Sequence, residues 1–302
     1  SAVLMLDGPP GQGKTVLALQ AYLTVPGPRA WFNAGPEDHT PVVWILALME
    51  CIGTALPDLD LTPAYAVLEN ADEPVEKGRR TLNLLLKLLA ADGRSLHLCF
   101  DRLEQIHGHD ETLLLLQHLV TTAPPNLRFL LSGQRFAPSL EQAIEAFRCL
   151  HPPHQHLSFT MTETADLCRL RLQTELPPAL LRALHEITAG WPLGVERYAE
   201  ALRAWRDMSR GEWPRSLDDE YPDSVRRIFD AVLERLSDKN RLVLAAVAWL
   251  DSADVELLRC ALDMPVERAD ITALSRSRQF FDEPLLGGEP RLHPLFRRHL
   301  RL

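Results

Sequence analysis

An α/β fold with a parallel sheet and helices on both faces is what this sequence predicts for its first half, with a helical second half to follow. Three observations carry the prediction. Short apolar runs alternate with longer helix-period segments up to Leu150. From Pro152-Pro153 onward the segments are almost all helical in period. A glycine-rich turn, Gly8-Pro9-Pro10-Gly11-Gln12-Gly13-Lys14-Thr15, joins the first apolar run to the first helix.

The elements follow in order. Ala2–Leu6 is a buried strand, and Lys14–Leu23 is the helix after the turn. Ala30-Trp31-Phe32 is a second strand and Val42–Ala55 a second helix. Val75–Ala91 is helical, with Leu82, Leu85, Leu86 and Leu89 on one face. Leu96–Phe100 is a third strand, Glu111–Thr122 a helix, and Leu127–Ser132 a fourth strand ended by Gly133. His156–Phe159 is read as the last strand. Helices are then expected at Glu163–Thr174, Pro178–Thr188 and Leu193–Ala204, the first with caps on offer over Thr160–Thr164. Asp207–Asp223 carries Gly211, Pro214, Asp218-Asp219-Glu220 and Pro222, and reads as a linker. Further helices follow at Val225–Leu236, Asp238–Leu250, Asp254–Leu262 and Val266–Ser275. Gln279–Phe281 and Arg291–His293 flank Gly287-Gly288 as a hairpin before a final helix, Leu295–Leu300. Helices closed by a hairpin make a winged-helix shape.

Length and composition bound the function classes. At roughly 100–200 residues per domain, 302 residues predict two domains or three. The motifs below divide the chain into three, at residues 1–157, 158–213 and 214–302. The formal charge is −9, which removes the electrostatic footprint of a dedicated nucleic-acid binder. The five cysteines form no C-x-x-C pair and read as free thiols in a reducing compartment. No apolar run reaches the ~18–20 residues of a membrane span. Ser1 opens the chain without an initiator Met or a basic n-region. The expectation is therefore a cytoplasmic piece of a longer protein, cut one strand before its turn.

That turn matches G-x-x-x-x-G-K-[ST] at every fixed position, between the strand and helix the motif requires. The chemistry explains the residue types. Gly8, Gly11 and Gly13 let backbone N–H groups point inward at phosphate oxygens. The helix starting at Lys14 adds its positive end. Lys14 would reach the β- and γ-phosphates, and the Thr15 hydroxyl would ligate Mg²⁺. Gly8, Pro9, Pro10, Gly11, Gln12, Gly13, Lys14, Thr15 and Val16 are the expected contacts with ATP or ADP. A carboxylate at the end of a neighbouring strand is the next part required, and Asp101 supplies it as the second magnesium residue. Glu104 either polarises an attacking water as general base or is an ordinary loop acid. Arg135, just after the fourth strand, either senses the γ-phosphate or is a solvated loop arginine.

These parts, in this order, resemble the nucleotide-binding module of STAND-type P-loop ATPases. More narrowly they resemble the large ATP-binding LuxR-type bacterial transcriptional regulators, the maltose-regulon-activator family. Ala30-Trp31-Phe32-Asn33 and Phe100-Asp101-Arg102-Leu103-Glu104-Gln105 are similar to that family's second and magnesium strands. Leu157-Ser158-Phe159-Thr160 and Thr162-Glu163-Thr164-Ala165 are similar to the start of its helical domain. The most specific match is Leu184–Gly194, in which Gly190 and Pro192 stand where the family has a G-x-P motif. The resemblance implies that Pro192 packs on the adenine. Leu292-His293-Pro294-Leu295-Phe296-Arg297 resembles the close of the winged-helix domain, which implies that His293 touches the nucleotide phosphates.

The pattern departs from the family in Arg102, which stands where many members have a second acid, and in one extra residue before Arg135. The family's segment ahead of the first strand, its C-terminal repeats and its DNA-binding helix-turn-helix have no counterpart in these residues.

The expected function is a slow ATPase switch of a transcriptional regulator, open or closed according to whether it holds ATP or ADP. A small-molecule or protein effector, and DNA, would be met only through regions outside these residues. The rival readings are a STAND-type scaffold or immune ATPase that self-associates with nucleotide, and a turnover P-loop ATPase or kinase. The histidines His107, His109, His151, His154 and His156 lack metal-ligand spacing and read as loop residues. Trp191, Trp205 and Trp213 lie in no basic patch and read as helix packing.

Overall fold

The computed structural model describes residues 2–70, 73–106, 108–144, 148–152, 157–209, 212–214, 216–217, 221–234, 236–276, 281–282 and 291–302. The expected Gly287-Gly288 turn, Gln279, the acidic run 218–220, Gly211, His107, His154 and His156 lie outside them. The chain divides into two compact units. One takes Ser1–Gly8 and Lys14–Pro153, the other Pro9–Gly13 and His154–Leu302.

The first unit runs β1 (Ala2–Leu6), α1 (Lys14–Thr24), β2 (Arg29–Asn33), α2 (Pro41–Ala55), α3 (Thr62–Asn70), α4 (Pro74–Asp92), β3 (Leu96–Asp101), α5 (Asp110–Thr122), β4 (Leu127–Ser132), α6 (Pro138–Ile144) and β5 (Arg148–Leu150). The strands form one sheet in the order β2-β3-β4-β1-β5, every pair parallel. Alternation along each strand sends its side chains to two different cores. Val3, Met5, Phe32, Leu98, Phe100, Phe129 and Leu131 join the buried cluster of α2, α4 and α5, around Trp44, Leu85 and Leu116. Leu6 and Cys99 meet Ala18 of α1 in a second, smaller cluster. The sheet is thus covered on both faces, as buried parallel strands require.

Local chemistry sets the helix limits. Glu73 caps α4 by accepting from the amides of Val75 and Glu76, and Gly93 ends the helix in a left-handed conformation.

The second unit contains α7 (Met161–Leu172), α8 (Pro178–Thr188), α9 (Pro192–Met208), α10 (Asp223–Leu233), α11 (Asp238–Leu250), α12 (Val255–Leu262), α13 (Arg268–Arg276), β6 (Phe281–Asp282), β7 (Arg291–Leu292) and α14 (Pro294–Arg301). Of the caps on offer before α7, Thr160 is used. It forms a capping box with Glu163. β6 and β7 pair antiparallel, Phe281 opposite Leu292. One buried cluster runs through this unit, from Cys168 and Leu184 through Tyr198 and Phe229 to Val243, Leu258 and Phe296.

Among the described residues the last strand of the sheet is β5 at Arg148–Leu150, and Leu157–Phe159 of the expected strand is not part of it. Leu157–Phe159 pairs with no strand, because the Phe159 amide donates instead to the Gly190 carbonyl at 2.8 Å. Helices α3 and α6 were not expected. All five cysteines are free, with Cys99 and Cys168 buried and Cys260 exposed.

Candidate functional site

β1 ends where Asp7 and Gly8 begin the turn, and α1 restarts regular structure at Lys14. In the first unit Lys14 is buried, and its Nζ donates to the Gly8 carbonyl at 2.8 Å. Burial pushes the Lys14 ammonium below the ordinary lysine range, against the pull of the Glu104, Asp101 and Asp7 carboxylates. The Thr15 hydroxyl donates to Asp101 Oδ2 at 2.9 Å, and Asp101 is itself only 2% exposed.

Asp101 was expected on a strand neighbouring the first. It stands one strand further away, since β4 lies between β1 and β3. The contact with Thr15 forms nonetheless.

Glu104 lies in a short 3₁₀ turn, Leu103–Ile106, and its Oε2 accepts from the Gln134 amide at 3.0 Å. The end of β4 is laced to the start of the turn by Gly133 N–H to Leu6 O, 3.1 Å, and Gly8 N–H to Gln134 O, 3.2 Å. Arg135 follows at once and is exposed, with no ion pair to another described residue. Val16 faces outward, 59% exposed.

Sequence reading missed Asp7. It is 2% exposed and pairs with His151 Nε2 at 3.1 Å. Its signal was a charged residue interrupting the apolar run just before the glycines.

Thr15 and Asp101 offer only oxygen donors, which suits a hard divalent cation completed by water and phosphate. No cluster of three or more His, Cys, Asp or Glu among the described residues would hold a metal by itself. The set fits magnesium brought with a nucleotide.

The second unit holds the remaining part of the turn. The Trp191 indole N–H donates to the Pro10 carbonyl at 3.0 Å, and the Leu193 amide to the Gly11 carbonyl at 3.1 Å. Gln12 is buried, with Nε2 donating to Ser158 Oγ at 3.0 Å. Gly11 sits at φ +76°, and a Cβ there would lie 2.5 Å from Leu193 Cβ, so only glycine fits. Pro192 is the first residue of α9, and its missing N–H costs nothing there. His293 caps α14, its Nδ1 accepting from the Leu295 amide at 3.2 Å. In the neutral form its proton is therefore on Nε2. Its ring meets Trp191 edge-on, with centroids 6.1 Å apart.

The structure thus brings Lys14, Thr15, Asp101 and Glu104 to one end of the sheet. It brings Pro10, Gly11 and Gln12 together with Ser158, Trp191 and Leu193.

No protein-family model and no curated protein matches the chain. Solved structures do. The Walker-type ATPase PABY2304 of Pyrococcus abyssi aligns with a TM-score of 0.63 at 17% identity, over 100% of this chain and 91% of that one. A RuvB variant of Thermotoga maritima aligns at 0.44 and 14%, over 100% and 88%. The Orc1 protein of Aeropyrum pernix, solved in complex with DNA, aligns at 0.43 and 14%, over 99% and 86%. The likeness to PABY2304, together with the strand order and the turn after β1, shows that this chain has the fold of a P-loop ATPase.

Proposed function

We propose that this chain is an ATP-binding signal-transduction switch of the STAND type, from a LuxR-type transcriptional regulator, with slow hydrolysis of ATP to ADP. One observation carries the nucleotide reading. The turn's own hydroxyl, Thr15, meets the strand-end carboxylate Asp101 at 2.9 Å beside a buried lysine.

In this reading the amides of Gly11–Lys14 and the Lys14 ammonium bind the phosphates. Thr15 and Asp101 hold magnesium, which would spread the β- and γ-phosphate charge over a second cation. Glu104 orients the attacking water and Arg135 reads the γ-phosphate. Pro192 packs on the adenine, and His293, with its Nε2 proton, donates to a phosphate oxygen.

Residues 158–213 are proposed as a helical domain and 214–302 as a winged helix. The antiparallel pair β6–β7 ahead of α14 supports that subdivision. Nucleotide binding is used to choose between two conformations, and it does so only by binding one of them more tightly. The effector and the DNA are contacted through other parts of the regulator.

His293→Ala tests the switch. The ratio of ATP to ADP affinity, measured by calorimetry, is expected to change by roughly tenfold, the weight of a hydrogen bond to a charged group. An unchanged ratio makes His293 a helix cap only. Steady turnover above about 1 per second would favour a working phosphotransferase instead, since such enzymes run at about 1–100 per second.

A further inference from the structure

We propose that Trp191 is a positioning residue for the phosphate loop, a role that rests on the nucleotide reading above. The argument begins with peptide geometry. In a trans peptide the carbonyl of one residue and the N–H of the next point in opposite directions, and the plane turns as a unit. Whatever holds a loop carbonyl on one side therefore aims the following amide at the other.

Two consecutive carbonyls of the loop are held in this way. The Trp191 indole N–H holds Pro10 O at 3.0 Å, which turns the Gly11 amide away from α9. The Leu193 N–H holds Gly11 O at 3.1 Å, which turns the Gln12 amide the same way. Leu193 is the second residue of α9, so its amide is one of the donors that a helix leaves without an internal partner. No side chain caps this helix, and the loop carbonyl takes the cap's place.

The Gln12 side chain is anchored separately, on Ser158 Oγ. Leu193 Cβ stands close enough to Gly11 to exclude any side chain there. The loop is thus clamped by its carbonyls on one side, which leaves its amides presented on the other as an anion cradle.

Trp191 reaches this position because the α8–α9 turn is forced. Ala189 and Gly190 are both left-handed, at φ +46° and +70°. The Trp191 amide returns to Thr188 O at 2.8 Å. Trp191 is 7% exposed and its indole lies stacked on Phe229, with centroids 5.7 Å apart, so its N–H has one fixed direction.

Trp191→Phe keeps a ring and removes the donor. The probes are tripolyphosphate, which has no base, and MgATP, each titrated into wild type, Trp191→Phe and Lys14→Ala. Both probes are expected to bind Trp191→Phe more weakly by the same factor, roughly three- to tenfold, the weight of one hydrogen bond. In the wild-type chain the amide proton resonances of Gly11 and Gln12 are expected to move downfield as tripolyphosphate is added. That measurement needs no variant.

Equal affinity of wild type and Trp191→Phe for tripolyphosphate, with Lys14→Ala binding roughly 10- to 100-fold more weakly, overturns the role of Trp191 and leaves the nucleotide reading standing. Loss of MgATP affinity alone puts Trp191 on the base and overturns it too. Gly11 and Gln12 amides that stay still while tripolyphosphate binds do the same. Failure of the wild type to bind either probe removes the nucleotide reading itself.

Discussion

His299 shows how a single residue ties this protein's stability to pH. Its side chain is 8% exposed, with Nε2 3.1 Å from Asp230 Oδ1. Its Nδ1 is buried and has no hydrogen-bond partner among the described residues. Protonating it would bury an N–H without an acceptor. Burial accordingly holds the imidazole below its ordinary range and outweighs the opposing pull of Asp230, while Arg226 adds to the lowering.

The sign follows from linkage. The unfolded chain takes up the proton first, so the stabilisation is complete above the ordinary histidine value of about 6.5 and is lost as pH falls below it. His97 and His118 shift the same way, also chiefly through burial. His299→Phe, which fits among Phe229, Phe296 and Tyr221, is expected to remove part of the fall in unfolding free energy between pH 7 and 5. Urea denaturation at both pH values checks it, and an unchanged fall would assign the effect elsewhere.

At this scale the site was partly legible. The glycine-rich motif singles out Lys14 and Thr15 at the start of α1 and the end of an apolar run singles out Asp101, and the structure brings Thr15 and Asp101 into contact. The contact of Asp7 with His151 and the bond from Trp191 to Pro10 were not legible. Their partners are 144 and 181 residues apart in the sequence, and nothing local announces them.

At the scale of elements, the α8–α9 turn is tightly constrained, with Ala189 and Gly190 both left-handed. A Cβ at Gly190 would lie 2.2 Å from the Phe159 carbonyl oxygen, and the residue sits at φ +70°. Gly190→Ala must break the 2.8 Å bond from Phe159 to Gly190 as well as accept the left-handed strain. A loss of about 2–4 kcal/mol is expected by thermal or urea unfolding, the sum of a backbone clash and an αL penalty. A loss under about 0.5 kcal/mol, the ordinary range for surface substitutions, would show that the turn relaxes freely.

Long periodic elements were legible because their apolar stripes repeat. α4 was placed to within a residue at each end, with Leu82, Leu85, Leu86 and Leu89 all buried. The elements that escaped are short. β5 has three residues, too few for alternation to show, and α6 has seven. α3 has nine residues and carries Pro63 at its second position, where proline is tolerated in a first turn.

For the whole molecule, strand–helix alternation announced the parallel sheet but not its order. All four longer strands are similar apolar runs, and nothing in their sequences says that β4 separates β1 from β3. The likeness to a Walker-type ATPase over the full chain agrees with the turn's motif at a sequence identity of only 17%. The motif is therefore the part of the sequence that points most directly at chemistry. The formal charge of −9 fits the same account, in which phosphate is gripped by a few oriented donors and a buried lysine instead of a basic surface. No helix among the described residues is long and apolar enough to cross a membrane.

The central claim is that the loop around Lys14 binds nucleotide phosphates, and isothermal titration of MgATP and MgADP into wild type and Lys14→Ala tests it most directly. The account predicts that both nucleotides bind the wild type and that Lys14→Ala loses roughly 10- to 100-fold in affinity for each, the range of a hydrogen bond to a charged group. Equal affinities in the two proteins would contradict it.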